Sequence, residues 1–267
     1  MRQRALITGA SEGIGAIYAD RLAKRGHDLI LVARNRAKLA QTAARLESET
    51  GVGIEILPAD LTARTDLERV AERLQDASIV FVVNNAGVIA PGPLLGLDAA
   101  ALEAMVALNV TAALRIAHAA VKNFAPHGAG TLVNISSVVA LAPERLSGTY
   151  SGTKAFLLNL SQALQAELAG TGIRVQAVLP GATRTAIWSK GGIDVDTLPA
   201  DRVMDVEDMV DAALRGLDLG ETVTIPSLPD ASDWDRLQEA RLALGPRLSL
   251  RSPAPRYGLA SDRAVLS

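Results

Sequence analysis

The stretch TGASEGIG, residues 8–15, decides how the rest of the chain is interpreted. It follows a short apolar run over residues 4–8 and precedes an amphipathic segment over 14–24. Glycines at a strand-to-helix turn let the backbone approach a pyrophosphate, and the N–H groups of the helix N-terminus favour an anion. The spacing G-x-x-x-G-x-G differs from G-x-G-x-x-G, but the physical requirements are the same. A tight turn without a ligand is the alternative. We predict a dinucleotide-binding turn formed by Gly9, Ser11, Gly13, Ile14 and Gly15.

Apolar runs alternate with helical patterns along the chain. Further runs that fit buried parallel strands lie at residues 28–33, 53–58, 79–83, 130–136, 173–179 and 222–225. The longest helical patterns between them cover 98–124 and 150–169. Such alternation is typical of βαβ units. We predict a single-domain α/β Rossmann fold, a doubly wound parallel sheet of about seven strands with helices on both faces.

The regular alternation weakens after residue 181. Residues 182–204 combine glycines, aspartates and a proline, and are predicted to form a long loop with one short helix, the lid. Long loops in compact domains are usually functional. After residue 245, prolines and four arginines indicate an irregular tail. We therefore predict one domain over residues 1–245 and a tail over 246–267.

The composition excludes several classes of function. The chain has 267 residues, of which 49% are hydrophobic, and its net charge of −2 argues against a nucleic-acid surface. The absence of cysteine excludes disulfides and thiolate metal sites, and the three histidines lie in separate elements, so no metal site is predicted. The N-terminal apolar run is too short for a signal peptide or a membrane span. We expect a cytoplasmic protein that binds neither nucleic acid nor membrane.

Tyr150 and Lys154 are i and i+4 neighbours on a predicted helix. An ammonium beside a phenol favours the phenolate, which would make the phenol a better proton donor near neutral pH. Ser137 follows the apolar run 131–135, and therefore stands at the carboxyl end of a strand, where open α/β sheets bind ligands. The alternative for an isolated Tyr-x-x-x-Lys match is an ordinary surface pair. Together the three residues predict a site for acid–base chemistry.

Arg34 and Asn35 directly follow the second predicted strand. In dinucleotide folds this strand end meets the adenosine ribose, where an acidic residue selects NAD and an arginine suits a 2′-phosphate. An arginine without a neighbouring carboxylate predicts NADP in preference to NAD. A solvated arginine at a helix start is the alternative.

In their order along the chain, these motifs resemble those of the short-chain dehydrogenase/reductase superfamily of the Tyr-x-x-x-Lys type. The resemblance covers residues 4–185 and extends more loosely to 228. The matches are Thr8-Gly9-x-x-x-Gly13-Ile14-Gly15, Asp60-Leu61, Asn84-Asn85-Ala86-Gly87, Asn109, Ser137, Tyr150-x-x-x-Lys154 and Pro180-Gly181-x-x-x-Thr185.

The resemblance implies a role for each matched residue. Tyr150 would exchange a proton with the carbonyl oxygen, Ser137 would hydrogen-bond that oxygen, and Lys154 would hold the nicotinamide ribose and lower the pKa of Tyr150. Asn109, the fourth catalytic residue, would hold a helix kink and a water linked to Lys154. Beyond the glycine turn, Arg34 and Asn35, cofactor contacts are implied for Asp60, Leu61, Asn85, Ala86, Gly87, Tyr150, Lys154, Pro180, Gly181, Thr183 and Thr185.

The resemblance predicts an NADP(H)-dependent oxidoreductase that interconverts a ketone or aldehyde and an alcohol. Glu12 occupies a position that is basic in many NADP-dependent members, so NAD stays possible. One alternative is a non-catalytic dinucleotide-binding regulator, which would be expected to lose Ser137, Tyr150 or Lys154. Another is a lyase or epimerase, but those relatives usually have a larger C-terminal domain.

The substrate is predicted to be a mid-sized, largely apolar carbonyl compound, because most residues expected at the mouth of the site are apolar. Arg145, Arg184 and Lys190 are the counter-evidence, since any of them could turn inward and clamp an anion. The two longest helices are apolar nearly all round, which predicts a homodimer or homotetramer. The substrate contacts that we predict are Ser137, Val138, Val139, Tyr150, Ala182, Ile187 and Trp188.

Overall fold

The computed structural model describes residues 2–90 and 92–259, and its centre is a seven-stranded sheet. Its strands follow the order β3-β2-β1-β4-β5-β6-β9, and every neighbouring pair is parallel. This confirms the predicted sheet. The strands are β1 (Arg4–Thr8), β2 (Asp28–Ala33), β3 (Ile54–Pro58), β4 (Ile79–Asn84), β5 (Ala129–Ile135), β6 (Gly172–Val178) and β9 (Val223–Thr224); β7 (Ala182–Thr183) pairs separately with β8 (Val203–Met204).

Helices cover both faces of the sheet, as predicted. Alternate residues of each strand enter different cores: Ile7 and Leu31 join one, and Leu6 and Ile30 join the other. The helices are α1 (Gly13–Lys24), α2 (Arg36–Thr50), α3 (Arg64–Arg73), α4 (Ala99–Val106), α5 (Ala113–Phe124), α6 (Gly148–Glu167), α7 (Ile187–Lys190), α8 (Val206–Asp218) and α9 (Ser232–Leu242). The first core contains α1, α2 and α8, and the second contains α3, α5 and α6.

The long helix predicted to start at Asp98 is interrupted by a π-helical segment, Ala107–Ala112, between α4 and α5. Among the described residues, one helical run, Ala99–His127, is long and apolar enough to span a membrane, with a mean hydropathy of 1.5. Its buried residues, such as Ile116 and Phe124, pack in the second core. The exposed positions of α5 carry Arg115, His118 and Lys122 besides Leu114, so the expectation that this helix is apolar nearly all round is wrong.

The lid, residues 182–204, is more ordered than the predicted loop. It contains β7, α7, two 3₁₀ turns and β8, so its chain crosses back to pair with itself. The described residues up to Ser227 form the main compact unit, and those from Leu228 to 259 form a separate unit in which α9 buries no residue. This division falls within the domain predicted over residues 1–245, whose boundary stays a prediction. The last eight residues of the predicted tail lie outside the described residues.

Candidate active site

The carboxyl ends of β1 and β4 meet where the strand order reverses, the point at which open α/β sheets bind ligands. The Thr8 hydroxyl accepts hydrogen bonds from the backbone N–H groups of Asn85 and Ala86, both at 3.0 Å. The Asn85 side chain in turn donates to the Thr8 carbonyl at 2.9 Å. These bonds join the glycine turn to the loop after β4, and they explain why Thr8 belongs to the first motif.

The glycine turn leaves no room for side chains at its centre. Gly9 and Gly13 have φ of +67° and +56°. A Cβ on Gly15 would lie 2.4 Å from the Gly9 carbonyl oxygen and 2.7 Å from Nδ2 of Asn85. Helix α1 begins after Glu12 without a side-chain cap and without an acidic residue in its first turn. The turn therefore fits a pyrophosphate, which needs close backbone approach and uncapped N–H groups.

The predicted adenosine contacts lie at the ends of β2 and β3. Arg34 is exposed, whereas the side chain of Asn35 accepts from the Lys38 N–H at 3.0 Å and thus caps α2. One oxygen of Asp60 accepts from both the hydroxyl and the N–H of Thr62, and these bonds, with the charge of Arg34, lower the pKa of Asp60. Leu61 is buried in the second core, so only its backbone is available to a ligand.

Tyr150 and Lys154 lie on α6 with 8% and 4% of their surface exposed. Nζ of Lys154 lies over the Tyr150 ring, 5.6 Å from its centroid, and donates to the Ile135 carbonyl at 3.0 Å. Burial raises the pKa of Tyr150 to about 12 and lowers that of Lys154 to about 8. The expected lowering of the Tyr150 pKa is therefore absent, because burial disfavours the phenolate and the ammonium faces the ring and a backbone carbonyl.

Two consecutive serines directly follow β5 and have different partners. Ser137 is half-buried; its hydroxyl donates to the Pro180 carbonyl at 3.3 Å and accepts from the Val139 N–H at 3.4 Å. The Ser136 hydroxyl donates to the backbone carbonyl of Lys154 at 2.7 Å and so attaches the end of β5 to α6. Sequence reasoning missed Ser136, although its place directly before Ser137 was the available signal.

The side chain of Asn109 explains the π-helical segment. It accepts from the Val88 N–H and donates to the Val88 carbonyl, both at 2.9 Å. It also donates to the Thr153 hydroxyl at 3.2 Å, which itself donates to the Tyr150 carbonyl at 2.7 Å. The irregularity expected at Asn109 is thus present and is fixed to the loop after β4 and to α6. A Cβ on Gly87 would lie 3.2 Å from Oδ1 of Asn109 and 3.5 Å from Nζ of Lys154.

Known proteins of similar sequence and structure show which family the chain belongs to. A family model described as short chain dehydrogenase matches residues 3–194. The chain belongs to that family. A short-chain dehydrogenase from Sphingobium yanoikuyae, solved in complex with NADPH, is 51% identical, with a TM-score of 0.93 and coverage of 96% of this chain and 99% of that one. The bulky-bulky ketone specific alcohol dehydrogenase from Comamonas testosteroni is 46% identical, with a TM-score of 0.88 over 96% and 98% of the two chains.

Among curated relatives of this dehydrogenase, human 17-beta-hydroxysteroid dehydrogenase type 3 is 34% identical over 204 residues. The match covers 75% of this chain and 66% of the human protein, just under two thirds of its length. The family and its members' names confirm that the chain is an oxidoreductase of the dehydrogenase type.

The lid of the dehydrogenase follows Pro180 and Gly181 and is fixed largely by its own side chains. The hydroxyl of Thr183 donates to the Gly181 carbonyl at 3.2 Å, and that of Thr185 to the Thr183 carbonyl at 3.4 Å. The same Thr183 carbonyl accepts the indole N–H of Trp188 at 2.8 Å. The polar edge of Trp188 is therefore used within the lid.

An apolar cluster surrounds Tyr150. Met105 and Val139 are buried with it. Val138, Ala182 and Ile187, also predicted to contact substrate, are half-buried. Sequence reasoning named Val139 as a substrate contact but not Met105, since no pattern separates Met105 from the other apolar residues of the helix predicted over 98–124. Partly buried residues packed against the cluster are Val88, Ile89, Ala90, Leu102 and Leu146.

A series of hydrogen bonds between buried polar side chains connects the elements that carry the site. Sequence reasoning missed it as well. The Asn84 side chain donates to the Ala113 carbonyl at 2.9 Å and to Oδ1 of Asn134 at 3.0 Å. Asn134 donates to the hydroxyl of Ser161 on α6 at 3.0 Å. Because buried polar groups need partners, this series fixes β4, β5, α5 and α6 in register. The signal was an asparagine inside an apolar strand.

Proposed function

We propose that the protein is an NADPH-dependent reductase of mid-sized, largely apolar ketones or aldehydes, and that it can run in reverse on the alcohols. The observation that carries the proposal is the buried Tyr150–Lys154 pair on α6, whose tyrosine lies in the apolar cluster. The NADPH complex of the Sphingobium relative supports the choice of cofactor.

When bound, NADPH supplies a hydride. Tyr150 is protonated at neutral pH, since its pKa is about 12, and it donates this proton to the carbonyl oxygen. The Ser137 hydroxyl, turned from the Pro180 carbonyl towards the substrate, donates a second hydrogen bond to that oxygen, which stabilises the negative charge as it develops. Lys154 would hold the nicotinamide ribose, and the N-terminus of α1 would hold the pyrophosphate. In the reverse direction, Tyr150 accepts the proton of the alcohol.

Two of the three cations that could clamp an anionic substrate are engaged elsewhere. Arg184 pairs with Asp196 and with Asp205, and Lys190 pairs with Glu12. The Comamonas relative, described as specific for bulky-bulky ketones, also supports an apolar substrate. The test compares NADPH-dependent turnover of an aryl ketone with that of a keto acid of similar size. A tenfold advantage for the keto acid that Arg145→Ala or Arg184→Ala abolishes would overturn the apolar substrate.

The preference for NADPH is tested at Arg34. Its charge-assisted contact with the 2′-phosphate is expected to contribute roughly 1.5–3 kcal/mol, so Arg34→Ala should raise the KM for NADPH by about ten- to a hundredfold. The KM for NADH should barely change. Arg36→Ala, which removes the next exposed arginine, is the matched control and should leave both values close to wild type. Equal efficiency of the wild type with both cofactors would contradict the preference.

We also propose a homodimer or homotetramer, and a cytoplasmic location. Association would bury the exposed apolar side chains of Val106, on α4, and Leu114, on α5. Light scattering at micromolar concentration tests it against the monomer mass of 27.9 kDa.

A further inference from the structure

Glu12, in the glycine turn, is the residue whose presence argues against NADPH, yet its carboxylate is neutralised from two sides. Nζ of Lys38, on α2, donates to one oxygen at 2.6 Å, and Lys190, at the end of α7, pairs with the other. The carboxylate side chain is 28% exposed, and those of the two lysines are 49% and 60% exposed. One acidic residue therefore joins the glycine turn, the helix after β2 and the lid.

The lid meets the walls of the cleft at two further points. The Cγ2 atom of Thr185 lies 3.3 Å from the position that a Cβ on Gly13 would occupy, so the lid packs on the residue next to Glu12. At the other end of α7, a Cβ on Gly191 would lie 2.7 Å from Cγ2 of Ile89, in the loop after β4. The lid thus contacts both the glycine turn and the loop after β4, the two walls between which we expect the dinucleotide to bind.

We propose that Glu12 is a positioning residue that holds the lid closed over the bound dinucleotide by pairing with Lys190, while Lys38 fixes the carboxylate. The proposal rests on the proposed function and adds the residue that controls cofactor release. It predicts that removing the Glu12 carboxylate changes the rate of cofactor release in the direction opposite to the one that charge repulsion predicts. By charge alone, a carboxylate near phosphates weakens dinucleotide binding, so its removal would slow release. If the carboxylate holds the lid closed, its removal must speed the release of the cofactor.

The experiment measures the rate of NADPH dissociation by stopped-flow displacement. Glu12→Gln and Lys190→Gln should each increase that rate by about two- to fivefold, the range of an exposed ion pair. The double variant should release NADPH no faster than the faster single variant, because both changes remove the same contact. Lys190→Arg keeps the positive charge and should release NADPH at the wild-type rate. Lys122→Gln, an exposed lysine on α5, is the matched control and should leave release unchanged.

Hydrogen exchange gives a readout that does not need the cofactor. In the protein alone, amides of residues 184–193 should exchange faster in Glu12→Gln and Lys190→Gln than in the wild type or Lys122→Gln, with the thermal midpoint unchanged. Slower NADPH release in Glu12→Gln, or additive effects in the double variant, would overturn the proposal. If the wild type binds NADPH but Glu12→Gln leaves both NADPH release and hydrogen exchange unchanged, the role of Glu12 is wrong and the proposed function is unaffected. Failure of the wild type to bind either nicotinamide cofactor would overturn the proposed function together with it.

Discussion

The glycine turn and the lid border the same cleft, but they are fixed by different means. At the turn, backbone packs against backbone, so that Gly15 leaves no space beside the Gly9 carbonyl. In the lid, single side chains make the contacts, such as Trp188 to the Thr183 carbonyl and Arg184 to Asp196. Backbone packing depends on the fold, whereas side-chain contacts can be exchanged one at a time. We infer that the fold fixes the cofactor half of the site and that the lid sequence adapts the substrate half.

Tyr150 belongs to neither the glycine turn nor the lid, and it is the proposed proton donor. Its substitution therefore gives the effect with which those of the two regions are compared. Tyr150→Phe removes one hydroxyl from a buried ring, so the fold and NADPH binding should survive. Turnover should fall by a factor on the order of 10²–10⁴ because the proton donor is lost. Steady-state kinetics with fluorescence titration of NADPH measures both quantities. Turnover within a few-fold of wild type would remove Tyr150 from the proposed mechanism.

A matched pair of glycine substitutions tests the comparison directly. In Gly15→Ala the new Cβ meets the backbone oxygen of Gly9 at 2.4 Å, whereas in Gly191→Ala it meets the end of the flexible Ile89 side chain at 2.7 Å. Gly15→Ala should lower the free energy of unfolding by about 3 kcal/mol and abolish NADPH binding. Gly191→Ala should cost less than about 1 kcal/mol, because Ile89 can move. Urea denaturation measures the two costs, and similar values would refute the distinction.

The same difference explains what could be predicted from the sequence. The glycine turn, the seven-stranded sheet and the positions of Ser137, Tyr150 and Lys154 were predictable, because glycine spacing and apolar periodicity reflect backbone requirements. The partners of Ser136, Asn134 and Ser161 were not, because those bonds join elements that are distant in sequence.

The pKa of Tyr150 and the pairing of Glu12 were unpredictable for related reasons. The sequence indicates that Lys154 is near Tyr150, but not that Nζ lies over the ring and that burial dominates. Likewise, Glu12 was an argument against NADP until α2 and the lid supplied Lys38 and Lys190. In both cases the decisive quantity was the surroundings of a charge, which depend on the tertiary structure.

Lys154 links the two halves of the site, and its burial makes stability depend on pH. Its pKa is about 8 in the folded protein, against 10.5 for an unperturbed lysine. Between these values the unfolded chain binds more protons, so the free energy of unfolding rises with pH. From pH 8 to 10 this gain is about 2 kcal/mol.

Lys154→Met lacks this titration, while the buried tyrosines are common to both proteins. The stability of the wild type relative to the variant should therefore increase over the same range. Urea denaturation at pH 8, 9 and 10 measures the difference, and a difference independent of pH would show that the Lys154 ammonium is well solvated.

The smallest effect is expected in the lid, at Trp188. Trp188→Phe keeps an aromatic ring and removes the hydrogen bond to Thr183, which contributes about 0.5–1.5 kcal/mol. Because the bond lies within the lid, kcat/KM should fall by about two- to tenfold, equally for small and bulky ketones, and global stability should barely change. Trp188→Ala should add little to this loss if the residue serves to pack the lid. A much larger loss in Trp188→Ala, confined to bulky ketones, would instead place the ring against the substrate. Trp188 would then both pack the lid and contact the substrate, so a change in lid packing would also change substrate selectivity.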